Sequence, residues 1–175
     1  IDGWRMDVAK EIDLLFWKDF RKTAKDSNQN VLLFSEIFGD TSQWLQGDMF
    51  DGTMNYSFRE SMVDYFATKR MSISEFSDSL ANLYFMYSFK ALSSCQNLLS
   101  SHDVKRFLNR CSDDSSIYGP IFMQATFPGI AGIYYGDEIG LNGGNEPNNR
   151  EAFPWNDEGS WDINLQNYIR EIMNI

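Results

Sequence analysis

The sequence has few of the residues from which metal, disulfide and membrane sites are built. Its 175 residues include one histidine, His102, and two cysteines, Cys95 and Cys111. A single histidine argues against a multi-histidine metal site, and two cysteines without a close motif favour reduced, buried thiols over a disulfide framework. No apolar run approaches the roughly 20 residues that span a bilayer. We therefore expect neither a metal site nor a membrane partner.

Positive charge is also scarce. Lys and Arg number 15 against 25 Asp and Glu, which gives a formal net charge of −10. Such a chain repels phosphate backbones, so we expect no nucleic-acid partner. Hydrophobic residues make up 43% and aromatic residues 15% of the sequence, which is typical of a globular protein long enough for one ordinary domain.

Short apolar runs alternate with amphipathic stretches along the chain. "VLLFSEI" is the near-continuous apolar run of a strand covered on both faces, and other stretches carry apolar residues at helical spacing. This pattern predicts strands at 1–7, 31–37, 50–56, 97–101 and 129–136, and helices at 13–26, 57–69, 75–93, 115–126 and 164–174. Ser74 is the expected cap of the helix at 75–93. Because strand and helix alternate, we expect an α/β fold with a parallel sheet.

Three of the predicted strands are followed by a carboxylate. Asp7 ends the first strand, Glu36 ends the second, and Asp103, next to His102, follows the fourth. A parallel α/β barrel collects such residues at the C-terminal ends of its strands. One carboxylate alone is more often a cap or turn former, and a lone histidine is more often a structural hydrogen-bonding group. The interpretation therefore rests on the cluster.

Carboxylates clustered at strand ends are suited to glycoside hydrolysis. The reaction needs a carboxylate on one side of the scissile bond and a proton donor on the other. Neighbouring anions raise the pKa of one carboxyl, which keeps it protonated near neutral pH. Arg5 lies two residues before Asp7, so both side chains share one face of a strand. An arginine in that position holds the neighbouring carboxylate ionised.

These residues lie in four motifs that resemble the α-amylase superfamily of glycoside hydrolases. "DGWRMDVA" is similar to the segment of the nucleophile, which implies that role for Asp7 with Arg5 as its partner. "SEIFGD" resembles the acid/base segment and implies Glu36. "LLSSHDVKRFL" resembles the segment of the transition-state-stabilising aspartate, which implies Asp103, with His102 as a contact to sugar hydroxyls. "GIYYGDEIGLNGGNEPNNREAFPW" is similar to the final barrel strand and its loop.

The resemblance extends over nearly the whole chain and is greatest to the neopullulanase, cyclomaltodextrinase and maltogenic amylase subgroup. It implies a retaining double displacement on α-1,4, and in some members α-1,6, links of maltodextrins, cyclodextrins or pullulan. The sequence departs from the family at two places. It has Lys10-Glu11 where Asn-Glu is usual, and Phe38-Gly39 where Trp-His is usual. We expect Glu11 to contact the acceptor sugar and Phe38 to provide an aromatic platform.

A family barrel has eight strand–helix units and needs about 250 residues. We expect residues 1–175 to be a single fragment of the catalytic barrel, holding strands four to eight and lacking strands one to three. Such a partial barrel has two open edges, and open edges invite pairing with another chain. We therefore expect that the isolated chain self-associates or folds as a flattened or rearranged half-barrel, and that it shows weak or no hydrolysis.

Two alternatives stay open at this point. One is a non-catalytic relative that binds glucans or serves as a structural subunit, and the other is a family member that acts on another α-glucoside. The resemblance implies an oligosaccharide or α-glucan substrate and no required cofactor, and it leaves calcium undecided. We expect a cytoplasmic location.

Overall fold

The centre of the molecule is a sheet of five parallel strands. The structure is a computed structural model that describes residues 1–174, so Ile175 of the expected fragment lies outside the described residues. The strands pair in sequence order, each with the next. They are β1 (Gly3–Met6), β2 (Leu32–Ser35), β3 (Gly52–Asn55), β4 (Gln96–Leu98) and β5 (Ile130–Gly132). All five predicted strands are confirmed, although each is shorter than expected.

Helices and turns occupy the crossovers between the strands. The helices are α1 (Leu14–Ser27), α2 (Tyr56–Met62), α3 (Ile73–Met86), α4 (Phe89–Ser93), α5 (Tyr118–Thr126) and α6 (Ile163–Ile172). A wider π-helical turn, Val63–Ala67, continues α2. Sequential parallel strands with intervening helices form part of a (β/α)8 barrel, as the sequence pattern predicted.

The single helix predicted at 75–93 is wrong, because two capping serines define two helices. Ser72, not Ser74, caps α3, in a capping box with Glu75. The chain leaves the helix at Tyr87, whose backbone is extended, and Ser88 accepts a hydrogen bond from the Ala91 N–H to begin α4. Local side-chain caps thus interrupt a stretch whose apolar spacing alone predicted one continuous helix.

The crossover from β2 to β3 is the exception to the alternation. Its only regular element is a 3-10 turn, Ser42–Trp44. A cleft of about 470 Å³ lies there, between α1 on one side and the junction of α3 and α4 on the other. At the entry to β3, a Cβ on Gly52 would lie 2.0 Å from the carbonyl oxygen of Ser94, so only glycine fits where these backbones meet.

The main core lies between the sheet and the helices. Its fully buried side chains include Leu33, Phe58, Met62 and Leu92. A second, smaller cluster of Met54, Tyr56 and Leu98 lies apart from it. β1 and β5 each pair with one neighbour, so the sheet has two free edges within residues 1–174. In that part of the chain no helix is long and apolar enough to cross a membrane.

Candidate active site

The candidate site lies at the C-terminal ends of the strands. Asp7 follows directly after β1, and Glu36 follows directly after β2. The register of the two strands pairs Met6 with Ser35, so the next residue on each strand reaches the same point of the sheet edge. Parallel pairing therefore brings together two carboxylates that are distant in sequence.

Arg5 bridges both carboxylates. Its Nη1 donates a hydrogen bond to Asp7 and its Nη2 donates one to Glu36. The sequence predicted the pairing with Asp7, and the second contact follows from strand pairing. The two acids differ in environment, because the Asp7 side chain is 70% exposed and the Glu36 side chain only 6%. One guanidinium thus joins an exposed carboxylate to a buried one.

Their environments separate the pKa values of the two carboxyls. The pKa of Glu36 is raised to about 7, chiefly because burial disfavours its charged form, with Asp103 and Asp7 adding to the shift and the Val8 N–H opposing it. The pKa of Asp7 is lowered, because a hydrogen bond from the Glu36 side chain and the Arg5 guanidinium favour its ionised form. Near neutral pH the site therefore holds an ionised Asp7 beside a partly protonated Glu36.

The residue after Asp7 has an unusual backbone. Val8 has φ 45° and ψ 40°, the left-handed region that a β-branched side chain rarely adopts. In this conformation its N–H lies 3.3 Å from Oε2 of Glu36 and donates a hydrogen bond to it. Strained backbone of this kind persists where surrounding contacts hold it, and such positions cluster at functional sites.

The turn after β4 supplies the third carboxylate. His102 Nε2 lies 3.1 Å from Oδ2 of Asp103, and Arg150 Nη2 lies 3.5 Å from Oδ1 of Asp103. The Asp103 N–H donates to the hydroxyl of Ser101. One polar atom each of Glu36, His102 and Asp103 lie within 4.8 Å of one another. The structure therefore brings together Arg5, Asp7, Glu36, His102 and Asp103.

The converging atoms of Glu36, His102 and Asp103 have the spacing that a bound cation needs. A metal, however, requires deprotonated ligands. With its pKa raised to about 7, Glu36 is partly protonated near neutral pH, which suits it to proton transfer.

The remaining two predicted residues, Phe38 and Glu11, are exposed. The Phe38 ring is half exposed and stacks on the Tyr56 ring, with centroids 3.7 Å apart and planes 18° from parallel. Glu11 has an exposed side chain in the 3-10 turn Ala9–Glu11. Within residues 1–174 no contact joins Glu11 to the three carboxylates.

Sequence reasoning did not identify three residues that touch the site. Tyr56, which supports Phe38, also shares a 3.1 Å hydrogen bond with the Ser101 hydroxyl. Asn149 and Arg150 reach the His102–Asp103 turn from the loop that follows β5. Their stretch is rich in Gly, Asn and Pro, and it has neither helical nor strand periodicity. The arginine was the available signal, because it stands beside two asparagines in the stretch that resembles the loop after the final barrel strand.

Comparison with known proteins identifies the family to which this chain belongs. The family described as "Alpha amylase, catalytic domain" matches residues 1–160. The chain belongs to the α-amylase catalytic-domain family. The resemblance inferred from the motifs is thereby confirmed.

The family relatives are glycoside hydrolases by name. Neopullulanase 2 of Thermoactinomyces vulgaris is 39% identical over 176 residues, which cover 100% of this chain and 30% of that protein. A cyclomaltodextrinase of Geobacillus thermopakistaniensis is 43% identical over 159 residues, which cover 90% of this chain and 27% of that protein. The chain thus spans about 30% of the length of the curated relatives it matches.

Solved structures agree on the fold. A cyclic α-maltosyl-(1→6)-maltose hydrolase from Arthrobacter globiformis, in complex with maltose, superposes with a TM-score of 0.95 at 35% identity. The match covers 99% of this chain and 40% of that one. The five strands therefore hold the arrangement they have in an α-amylase-family barrel.

Proposed function

We propose that the protein containing this chain is a retaining glycoside hydrolase of α-glucans, acting on maltodextrins, cyclodextrins or pullulan. The observation that carries the proposal is the opposite displacement of two neighbouring pKa values, lowered at Asp7 and raised to about 7 at Glu36. A double displacement needs one ionised and one protonated carboxyl at the start of the reaction.

In the first step Glu36 gives its proton to the glycosidic oxygen while the Asp7 carboxylate attacks the anomeric carbon. The bond from that carbon to the glycosidic oxygen breaks, and the leaving sugar carries the proton as a neutral hydroxyl group. In the second step Glu36, now a carboxylate, takes a proton from water, and the water oxygen displaces Asp7 from the anomeric carbon. Two inversions give net retention.

The shared arginine favours retention over inversion. Retaining enzymes have carboxyl groups about 5–5.5 Å apart, whereas inverting enzymes leave about 6.5–9.5 Å for a water molecule. Arg5 donates to Asp7 and to Glu36 at once, and the hydrogen bond from Glu36 helps to lower the pKa of Asp7. One guanidinium that contacts both carboxyls supports the shorter, retaining separation.

The other predicted residues are proposed to bind sugar. Asp103, held by His102 and Arg150, faces Glu36 and would stabilise the charged transition state, while His102 contacts sugar hydroxyls. Phe38 would stack on a sugar ring, since one face of its ring is covered by Tyr56 and its exposed fraction is 52%. Glu11 is proposed to contact the acceptor sugar.

The test is product analysis with the full-length protein. Maltotriose, β-cyclodextrin and pullulan should each be assayed with the wild-type protein and with Asp7→Asn, and the anomeric form of the first product followed by NMR. We expect an initial α-anomer and no turnover by the variant. An initial β-anomer would refute retention. If the wild-type protein, like Asp7→Asn, showed no turnover, the result would favour a non-catalytic glucan-binding relative. Hydrolysis of sucrose or trehalose alone would place the enzyme on another α-glucoside.

The free sheet edges support a second proposal, which concerns residues 1–175 alone. β1 and β5 have unpaired edges, and apolar side chains are exposed along the sheet at Trp4, Leu32 and Ile130. Exposed strand edges promote pairing between chains. We propose that this five-strand unit self-associates and hydrolyses maltotriose weakly or not at all. A monomer at all concentrations by light scattering, or turnover abolished by Asp7→Asn, would contradict this.

A cytoplasmic location is also proposed. One relative, 41% identical to this chain, is named the intracellular maltogenic amylase of Bacillus subtilis. Fractionation of cells that produce the full-length protein would test it.

A further inference from the structure

We propose that Asn149 is the positioning residue of the catalytic turn: its side-chain amide holds the backbone of Ser101–Val104 so that His102 and Asp103 face Glu36. The inference rests on the proposed function, because it concerns the same site. Asn149 itself does not touch the reacting groups.

The contacts of Asn149 are concentrated on one short turn. Its Nδ2 lies 2.7 Å from the carbonyl oxygen of His102, 3.0 Å from that of Val104 and 3.4 Å from that of Ser101. The residue is fully buried. A side chain more than 40 residues away in sequence thus satisfies three carbonyls of one four-residue turn.

The orientation of the amide follows from its surroundings. With the amide oxygen turned toward the turn, four oxygen atoms would face one another without a proton between them. Only the NH2 group supplies two protons at that point, and one of them is shared between two carbonyls. Nδ2 therefore faces the turn, and Oδ1 has no hydrogen-bond partner within the described residues.

The turn depends on this contact because it has few bonds of its own. A single backbone hydrogen bond, from the Val104 N–H to the Ser101 carbonyl, closes it at the long distance of 3.4 Å. The His102 and Asp103 side chains pair with each other and converge on Glu36. Fixing the carbonyls of the turn therefore fixes the direction of the two side chains.

Arg150 adds a contact but does not replace the amide. Its Nε donates to the His102 carbonyl at 3.0 Å, and its Nη2 reaches Asp103 and Glu146. Arg150 is exposed and divides its guanidinium among several acceptors, whereas Asn149 is buried and faces the turn alone. Among the described residues, removing the amide leaves the Val104 carbonyl without a donor and the Ser101 and His102 carbonyls with one donor each.

The proposal can be tested without an activity assay, through the imidazole signals of His102. In the full-length protein labelled with 15N at histidine, the signals of His102 are the ones that a His102→Gln variant lacks. The nitrogen shifts report whether Nε2 carries the proton that it shares with Asp103. The variant is Asn149→Asp, which keeps the shape but replaces the donor with an acceptor. Its matched control is Asn148→Asp, the same change at the exposed neighbour.

We expect Asn149→Asp to shift the His102 nitrogen signals and Asn148→Asp to leave them in place. In the full-length enzyme the same variant should lose about 100-fold in kcat with KM within about 2-fold, as expected of misplaced catalytic groups.

Wild-type His102 signals in a folded Asn149→Asp variant would overturn the proposal, as would equal shifts in the Asn148 control. If Asn149→Asp does not fold, Asn149→Ser decides, because serine keeps one donor and leaves room for water. A folded Asn149→Ser variant with wild-type signals would refute the positioning role. If the wild-type enzyme proves inactive while the signals shift as expected, the proposed function fails and the positioning of the turn stands.

Discussion

Arg5 and Arg106 each pair with a carboxylate at the C-terminal side of the sheet, yet they create different environments. Arg5 is partly exposed and divides its guanidinium between Asp7 and Glu36. Arg106 is fully buried, bonds Asp137 at 3.0 Å and the Tyr135 carbonyl at 2.7 Å, and lies over two tyrosine rings. The Arg5 contacts lie within the cluster of carboxylates, whereas the Arg106–Asp137 pair joins the loop after β4 to the loop after β5.

The comparison shows that pairing with an arginine does not by itself decide the direction in which the pKa of a carboxyl moves. Around Arg5, one carboxylate is exposed and the other buried, so their pKa values move apart and a proton becomes available for transfer. Arg106 pairs with Asp137, and burial raises the pKa of that carboxyl to about 6 in spite of the guanidinium. We infer that the exposed pair serves the reaction and that the buried pair fixes the loops. The following predictions test that division.

The largest effect on folding is expected from Arg106→Met. Removing the cation leaves Asp137 buried without its partner, which typically costs about 3–5 kcal/mol of the free energy of unfolding. Urea denaturation measures this cost. The double variant Arg106→Met/Asp137→Leu is the control, and it should recover most of the loss because no charge is left buried. If Arg106→Met were as stable as wild type, the buried pair would not hold the loops.

Arg5→Met should leave stability nearly unchanged and impair the reaction. Without the guanidinium the pKa values of Asp7 and Glu36 both rise, because Arg5 lowers both. The reaction needs Asp7 ionised and Glu36 protonated, so both limbs of the pH profile of kcat/KM should move to higher pH. At neutral pH we expect a loss of about 100-fold, the scale on which misplaced catalytic groups act.

Arg5→Lys is the matched control for that experiment. Lysine keeps the charge but cannot donate to two carboxylates with a planar fork. It should therefore move the pH profile less than Met does while still lowering kcat. An unshifted pH profile in Arg5→Met would show that Arg5 does not set the two pKa values.

Asp137→Asn should change how stability depends on pH. The pKa of Asp137 is about 6 in the folded protein, against 3.8 for an ordinary aspartate carboxyl in water. The folded state therefore binds more protons than the unfolded state between pH 4 and 6. Its contribution to the free energy of unfolding therefore falls as pH rises through that window, by on the order of 2 kcal/mol. The variant lacks this loss, so its stability relative to wild type should increase from pH 4 to pH 7. A constant difference measured by urea denaturation would contradict the raised pKa.

The smallest effect is expected from Phe38→Ala, at the exposed face of the site. Loss of the ring that stacks on Tyr56 should raise KM for maltotriose about 3- to 10-fold, a range that corresponds to the loss of one aromatic contact. The thermal midpoint should hardly change, because half of the ring is already in water. Phe38→Trp keeps an aromatic platform and should retain a KM near wild type. Equal KM values in all three proteins would exclude a contact with sugar.

The strands, their order and the placement of Asp7, Glu36 and Asp103 could be predicted from the sequence. Apolar runs mark buried parallel strands, and residues at their ends must meet at one edge of the sheet. The split of the helix at 75–93 could not be predicted from periodicity, because it depends on Ser88 as a cap. The second contact of Arg5, to Glu36, depends on strand register, which the sequence does not specify.

The role of the loop after β5 lay further beyond prediction. Asn149 and Arg150 meet the His102–Asp103 turn only after the chain has folded back across more than 40 residues. The pKa values of Glu36 and Asp137 likewise depend on burial, which is a property of the assembled structure. Sequence reasoning proposed the reacting groups, and tertiary structure added the groups that contact them and shift their pKa values.

The backbone of Val8 has a consequence for how this chain can be improved. A β-branched residue in the left-handed region lowers stability, and a glycine there would relieve the strain. The same relief would free the N–H that now bonds Glu36, the carboxyl proposed to give its proton to the glycosidic oxygen. A selection for heat resistance alone would therefore favour changes at this position that a selection for turnover would reject. Stability and activity therefore favour different residues at position 8.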